Sequence, residues 1–444
     1  MIKTRSQAID LVYSSYNRAS QMTKRNLIRK QERSRQLLHA IGNPDAGKKI
    51  ILVAGSKGKG STAKFISSLL ASLSYKVGLF TSPHQFTFNE RIQLNGENIP
   101  DNAFIKIANS MYPHVQEIDR QLDANEYLGP IAINLAIALL YFEEQNVDYI
   151  VLEVGKGGLF DDTNVVDNKW AVITPIFEEH VQELGPGISN IADHKLGIIK
   201  NSSTSVIISK QRPDVRQYIN KKLSSQSNEI FRYGTDFNAI ISKVTINGTI
   251  FHIDTKQTAY SNLSVPLLGA FQCENIAAAI QACEIILKTA ISRTMIGHWL
   301  ASLQNPGRCE VILKKPVVIA DAAINRDSAQ YIQEVVKSFN PSCLITVLGL
   351  SEDKDYKGII HVVKRFSNEL IITKPENGYK TFREENVAKY AENLLSVEFI
   401  SSIPEACKKA LQTKHADFIL FLGNHSFIAE AKQWFEKEAL VNMA

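Results

Sequence analysis

Nine residues, AGSKGKGST from Ala54 to Thr62, carry three glycines, two lysines and a closing pair of hydroxyls. Glycines let backbone N–H groups turn toward phosphate oxygens, where a side chain would block them. A following helix adds the partial positive charge of its N-terminus. In that arrangement Gly55, Gly58 and Gly60 shape the loop, Lys59 reaches the terminal phosphates, and Ser61 or Thr62 holds Mg²⁺. The spacing G-x-x-G-K-G-[ST] departs slightly from the commonest P-loop. A tight turn without a ligand is the plain alternative. The placement between the apolar run IILV and a helical pattern, with lysine before hydroxyls, favours the phosphate cradle.

Two further residues fit the chemistry of a metal-bound phosphate. Glu153 ends the apolar run VDYIVLEV and precedes Gly155, Gly157 and Gly158. A carboxylate at the carboxyl end of a parallel strand faces the ligand crevice, and Mg²⁺ prefers such hard oxygens. Taken alone, Glu153 is equally a strand-end residue with no role. His180, in EEHVQELG, alone reads as a surface or packed histidine.

The elements that would position these residues follow from periodicity. Ile51–Ala54, Val77–Thr81, Tyr149–Val154, 172–174 and 205–209 read as strands. Ser61–Tyr75 and Ile131–Phe142 read as helices, the first with Phe65, Ile66, Leu69, Leu70 and Leu73 on one face. This β-α-β alternation predicts a mostly parallel sheet with helices on both faces. Around Asn247-Gly248 the texture changes to KVTINGTIFHID, a hairpin signal and a small antiparallel patch ending the first domain. A helix over 272–288 follows. After Asn305-Pro306-Gly307 the alternation resumes, with strands at 317–321, 344–348, 369–373, 398–401 and 418–422. The expected division is 1–304 and 305–444, an α/β pair: a P-loop-type domain and a C-terminal Rossmann-like domain.

Bulk properties narrow the class. The chain has 444 residues, enough for two domains, with 44% hydrophobic and 21% charged residues. A net charge of +5 is too small to argue for nucleic acid, though it suits an anionic substrate. Cys273, Cys283, Cys309, Cys343 and Cys407 are scattered without zinc-site spacing, which predicts a reduced, cytoplasmic protein. No apolar run spans a bilayer and no apolar signal core opens the chain, so no membrane partner is expected. The basic run from Lys24 to Arg35 reads as a solvated helix face, ahead of targeting or RNA contact.

In order along the chain, AGSKGKGST, GLFTSPHQFTFNERIQLNGE, LEVGKGGLFDDTNV, HVQELG, IADHKLGIIK and PGR resemble the folylpolyglutamate synthase/dihydrofolate synthase family of the Mur ligase superfamily. The resemblance runs from LLHAIGNP to SEDKDYKG. It implies an ATP-dependent amide ligase: the γ-phosphoryl group of ATP activates a carboxylate as an acyl phosphate, and an amine, glutamate in the family, displaces phosphate. It makes Lys59 and the loop backbone the phosphate binders. It makes Ser61, Glu153 and His180 the Mg²⁺ ligands. Lys195 matches a lysine that the family carbamylates, and an unmodified Lys195 would pair with phosphate instead. Asn275 matches an adenine reader, Arg308 and Asp321 match nucleotide contacts, and Thr81, Ser82, Pro83 and His84 match the loop near the acid substrate. Ile324 and Asn325 fall in the motif around the substrates. The implied partners are a small carboxylic acid and an amine or amino acid, bound by a monomer or weak homo-oligomer.

The departures cluster. An arginine and an alanine of the relatives' glycine-rich loop become Leu159 and Asp162, Phe-Glu becomes Ile131-Ala132, and HQ becomes Phe271-Gln272. DGAHNP becomes Asp321-Ala322-Ala323-Ile324-Asn325-Arg326, an arginine becomes Tyr379, and GSLY becomes Gly423-Asn424-His425-Ser426. Replacing imidazole by an aliphatic chain removes hydrogen bonding where a glutamate carboxylate would be gripped. On this ground the expected function is a paralogous ligase with a non-folate substrate pair. The alternatives are a genuine folate enzyme adding L-glutamate and a non-catalytic nucleotide-binding protein. Survival of Lys59, Ser61, Glu153, His180 and Lys195 speaks against the last.

Overall fold

The computed structural model describes residues 1–23, 26–202, 204–351, 354–374 and 396–441. The chain divides into two compact units, one of Met1–Ala239, Ile253–Tyr260 and Glu274–Trp299, the other of Ile240–His252, Ser261–Cys273 and Leu300–Ala444. It is α/β throughout.

The first unit is built on one eight-stranded sheet. Across it the strands run Ile230–Arg232, Ser205–Ile208, Trp170–Ile173, Ile50–Ala54, Tyr149–Glu153, Val77–Phe80, Ile92–Leu94 and Glu97–Asn98. Pairing is parallel from Ile230–Arg232 to Val77–Phe80 and antiparallel over the last two strands. The central strands Ile50–Ala54 and Tyr149–Glu153 are buried at every residue. That is why they read as unbroken apolar runs rather than alternating ones. The helix Lys59–Ser72 begins two residues earlier than its hydrophobic spacing indicates. Gly58, at φ +87°, forms its N-cap, so Lys59 and Gly60 already lie in the first turn.

Two helices carry weaker signals in sequence. Asp101–Arg120 buries Phe104, Ile107, Ala108, Met111, Val115 and Ile118, an i, i+3, i+4 stripe. Full burial of each large side chain contributes roughly 1.5–3 kcal/mol. Arg5–Met22 starts with a capping box, in which Thr4 accepts from Gln7 N and the Gln7 side chain returns to Thr4 N. Three described members of the basic run are half-exposed and ion-paired. Arg29 pairs with Asp162 at 3.2 Å, Lys30 with Glu126 at 2.6 Å, and Arg35 spans both oxygens of Asp45. Lys24 and Arg25 lie outside the described residues.

The second unit holds a six-stranded sheet in the order Glu310–Lys314, Val317–Asp321, Phe418–Gly423, Leu344–Gly349, Glu369–Thr373, Ser396–Phe399, parallel except at Glu310–Lys314. Successive residues of Phe418–Gly423 alternate between two apolar clusters: Leu420 and Leu422 face one, Ile419 and Phe421 the other. Both faces are therefore covered, as in a doubly wound fold. The strands Asn238–Thr245, Gly248–Asp254 and Ala259–Val265 form a separate three-stranded sheet around the expected Asn247-Gly248 turn. Among the described residues no helix is long and apolar enough to cross a membrane.

Candidate active site

The loop 54–62 joins the strand Ile50–Ala54 to the helix Lys59–Ser72. Gly55 and Gly58 adopt φ of +147° and +87°, values that side-chain-bearing residues resist. Space forbids a side chain as well. A Cβ on Gly55 would lie 2.0 Å from Thr174 Oγ1, and one on Gly58 would lie 2.7 Å from Asn275 Oδ1. The second contact puts Asn275 directly against the loop.

Two ammonium groups converge on one backbone oxygen. Lys59 Nζ donates to Gly55 O at 2.9 Å, and Lys195 Nζ donates to the same oxygen at 2.8 Å. Lys195, on the helix Ile188–Leu196, is fully buried and also pairs with Glu179 Oε1 at 2.8 Å. Burial lowers its pKa to about 8 against the pull of Glu179, and Lys59 adds to the fall. Burial raises the Glu179 carboxyl, but Lys195 and Lys59 outweigh it and hold the group below the usual range.

Glu153 joins the loop to the segment 81–84. Its buried carboxylate accepts from Ser82 N at 2.9 Å and from the Thr81 hydroxyl. A Cβ on Gly60 would sit 3.1 Å from Glu153 Oε2, so the carboxylate abuts the loop. Pro83 follows a cis bond. His84 Nδ1 accepts from Arg91 Nε at 3.0 Å. Burial and the Arg91 charge push the His84 pKa below its ordinary value. His180 is exposed, at φ +50°, directly after Glu179. Partial desolvation of its ring lowers its pKa, and Glu179 opposes the fall.

The loop fits a phosphate. Thr62 is fully buried, and its Oγ1 has no hydrogen-bond partner. A buried hydroxyl left unpaired costs about 1–3 kcal/mol, so it is suited to an acceptor arriving from outside. The first amides of the helix Lys59–Ser72 also lack intrahelical acceptors, because no helical carbonyl precedes them. Ser61, Glu153 and His180 offer a hydroxyl, a carboxylate and an imidazole. Among the described residues no three His, Cys, Asp or Glu side chains cluster as a metal cage. A cation fitting this donor set would keep most of its contacts to phosphate and water, the habit of Mg²⁺.

The second unit gathers the remaining candidates around the ends of its strands. Asp321 closes the strand Val317–Asp321, and its Oδ2 accepts from Cys309 N at 2.8 Å. Arg308 Nη2 lies 2.9 Å from His425 Nε2, and Arg308 O accepts from Gln272 Nε2 at 3.2 Å. Asn325 has a structural task, because its side chain caps the helix Arg326–Phe339 by accepting from Ser328 N at 2.9 Å. Ile324, beside it, is 37% exposed. Tyr379 lies outside the described residues, as do Glu352 and Asp353 of SEDKDYKG.

The grouping thus joins Gly55, Gly58, Lys59, Gly60, Glu153, Thr81, Ser82, Lys195 and Asn275 in the first unit. Glu179 and Arg91 escaped notice in the sequence. Glu179 had a signal, being adjacent to His180. Arg91 had none, since its partner His84 is recognisable only once the turn between them closes.

Comparisons with known proteins establish the family. The Mur ligase middle domain matches residues 107–283, and the Mur ligase glutamate ligase domain matches residues 307–425. A dihydrofolate synthase/folylpolyglutamate synthase of Bacillus subtilis (strain 168) is 31% identical over 419 residues, 90% of this chain and 94% of that protein. A Mycobacterium tuberculosis folylpolyglutamate synthase complexed with ADP superposes with a TM-score of 0.86 at 25% identity, covering 96% of this chain and 99% of that one. An FPGS–AMPPCP–folate complex superposes with a TM-score of 0.80 at 26% identity, covering 97% of this chain and 99% of the other. With motifs, fold and full-length similarity in agreement, the chain belongs to the dihydrofolate synthase/folylpolyglutamate synthase family of Mur-type, ATP-dependent amide-forming ligases.

Proposed function

We propose that this protein joins L-glutamate to a folate-type acid, using ATP and Mg²⁺. The observation that carries this reading is the intact phosphate loop, with Lys59 and Lys195 meeting at Gly55 O, in a chain whose curated relative is a dihydrofolate synthase/folylpolyglutamate synthase along nearly all its length. The similarity to an FPGS–AMPPCP–folate complex supports folate as the acid.

In this reading residues 1–304 hold ATP and the acid, and residues 305–444 bring the amine. The β- and γ-phosphates lie on the loop amides and Lys59. Ser61, Glu153 and His180 would hold Mg²⁺, which when bound would supply charge neutralisation for phosphoryl transfer. Ser82, Pro83 and His84 face the acid. The acid's carboxylate takes the phosphoryl group, the amine attacks the acyl carbon, and phosphate leaves. Asn275 reads adenine, and Arg308 and Asp321 serve as further nucleotide contacts. Lys195 either stabilises phosphate as an ammonium or, carbamylated, holds a second cation. The reaction takes place in the cytoplasm.

The test is phosphate release from ATP and Mg²⁺ with dihydropteroate or tetrahydrofolate, in the presence and absence of glutamate. Release that requires both acid and glutamate is the expected result. A second reading, a paralogue with another acid and amine, has Ile324 and His425 in its favour, where the relatives' motifs carry histidine and leucine. ATP binding without folate-dependent release would select it.

A further inference from the structure

Arg308 is gripped twice, and both grips lie within the second unit. The first holds its backbone. Gln272, fully buried, donates through Nε2 to Arg308 O at 3.2 Å, and its Oε1 accepts from Asn305 Nδ2 at 3.3 Å. Arg308 N donates to Asn305 O at 3.2 Å, and the neighbouring Cys309 N donates to Asp321 Oδ2 at 2.8 Å. The second grip is on the side chain, where Nη2 lies 2.9 Å from His425 Nε2. An arginine can only donate, so Nε2 is the acceptor and the imidazole carries its one ring proton on Nδ1.

His425 is placed as firmly. The strand Phe418–Gly423 pairs in parallel with Val317–Asp321, with Leu422 opposite Asp321, so the two strand ends adjoin. Asn424 follows. Its N donates to Gly349 O at 3.2 Å, and its Oδ1 accepts from Phe427 N at 2.9 Å. That cap fixes the first turn of the helix His425–Val441, and with it the root of the His425 side chain. Relatives' motifs carry histidine at 324 and leucine at 425, whereas this chain carries isoleucine and histidine. The imidazole thus stands at the end of the neighbouring strand.

The chemistry of the partner matters. A carboxylate would hold the guanidinium but cancel its charge, and a leucine would leave it unheld. A neutral imidazole orients the group, takes up one N–H donor, and leaves the positive charge and the other donors for an anion. Glu310, the nearest acid in sequence, is engaged elsewhere. Its Oε1 accepts from Lys432 Nζ at 2.8 Å and its Oε2 from Gly307 N at 2.7 Å.

We propose that His425 is a positioning residue: as a neutral acceptor it holds the Arg308 guanidinium in one direction with its charge undiminished, ready for the phosphates of the nucleotide. This rests on the nucleotide contact proposed above for Arg308.

Calorimetric binding of AMPPCP with Mg²⁺ to the whole protein tests this without any acid or amine present. Arg308→Ala should weaken binding about tenfold or more, the scale of one hydrogen bond from a charged group. His425→Leu should weaken it about fivefold, the scale of a long side chain that must be ordered on binding. His425→Gln keeps a neutral acceptor and should stay within about twofold of the wild type. Because His425 acts through Arg308, the double variant His425→Leu/Arg308→Ala should bind no worse than Arg308→Ala alone. Wild-type affinity in His425→Leu, or losses that add in the double variant, overturns the proposal. So does equal weakening by His425→Leu and His425→Gln, which marks a packing role. Wild-type affinity in Arg308→Ala overturns the nucleotide contact itself, and the role of His425 with it. A wild type that binds no AMPPCP overturns the ligase reading and everything resting on it.

Discussion

The two ends of the candidate chemistry differ in how firmly sequence and structure agree. In the first unit every residue expected to handle phosphate is retained, and nearly all interlock: Gly58 against Asn275, Gly60 against Glu153, Lys59 and Lys195 at one oxygen. In the second unit the strand-end residues are in place, but their company has changed. Asp321 and Arg308 remain, yet Ile324 stands where relatives carry histidine, and Arg308 meets His425. The difference teaches which part of such a ligase is free to vary. Phosphate chemistry requires backbone amides, fixed cations and a hydroxyl in a set order. Side chains such as those at 324 and 425 can be exchanged without disturbing that order.

The largest effect should come from the retained end. Lys59→Ala is expected to lower ATP turnover on the order of 10³-fold, the scale of losing a cation on the transferring phosphoryl group. Thermal unfolding should shift little, because Lys59 makes one hydrogen bond at the loop. Near-normal turnover would remove the loop from the chemistry and erase the contrast.

A smaller effect sharpens the altered end. Ile324→His restores a donor at an exposed position and should lower the KM for glutamate about tenfold, roughly the 1.4 kcal/mol of one added polar contact. An unchanged KM for glutamate would mean that the amine is read elsewhere, and that the departures at 321–326 are unrelated to it.

A separate effect concerns stability and leaves turnover aside. Burial pushes the Asp162 carboxyl up to about 6, with Arg29 acting against the rise and Asp161 adding to it. The folded state therefore binds this proton more tightly than the unfolded one. The stabilisation is full below the unfolded pKa, near 3.8, and is lost as pH rises through about 6. Relative to Asp162→Asn, the wild type should lose up to about 3 kcal/mol between pH 4 and pH 7. Denaturant melts of both proteins across that range would show it, and parallel curves would mean that Asp162 is no more burdened than a surface carboxylate.

Legibility in sequence followed the range of the interaction. Central strands were readable because Ile50–Ala54 and Tyr149–Glu153 are buried on both faces and admit only apolar residues. The phosphate loop was readable because its glycines, lysine and hydroxyls are consecutive. The helix Arg5–Met22 was not, since its buried Ala8, Leu11, Val12, Ser15 and Ala19 are small or polar in part. The Arg29–Asp162 pair was invisible for a different reason. Its members are 133 positions apart, and each looks like an ordinary surface charge until the fold brings them together. The apolar segment 131–142 gave the helix Pro130–Glu144 but no hint of Gly129, whose missing side chain makes room for that carboxylate.

The shared oxygen of Gly55 has a consequence for nucleotide discrimination. The two ammonium groups of Lys59 and Lys195 share one backbone dipole, and Lys195 also has the carboxylate of Glu179. Phosphate must compete with that carbonyl rather than fill an empty field. A ligand succeeds only if it offers the lysines more than that carbonyl and the Glu179 carboxylate do. A monophosphate reaching part of the loop gains little by the exchange, whereas a chain of phosphates engages amides and both cations together. Affinity should thus rise in a step between AMP and ADP rather than evenly along the series, so that spent nucleotide stripped to one phosphate cannot clog the site.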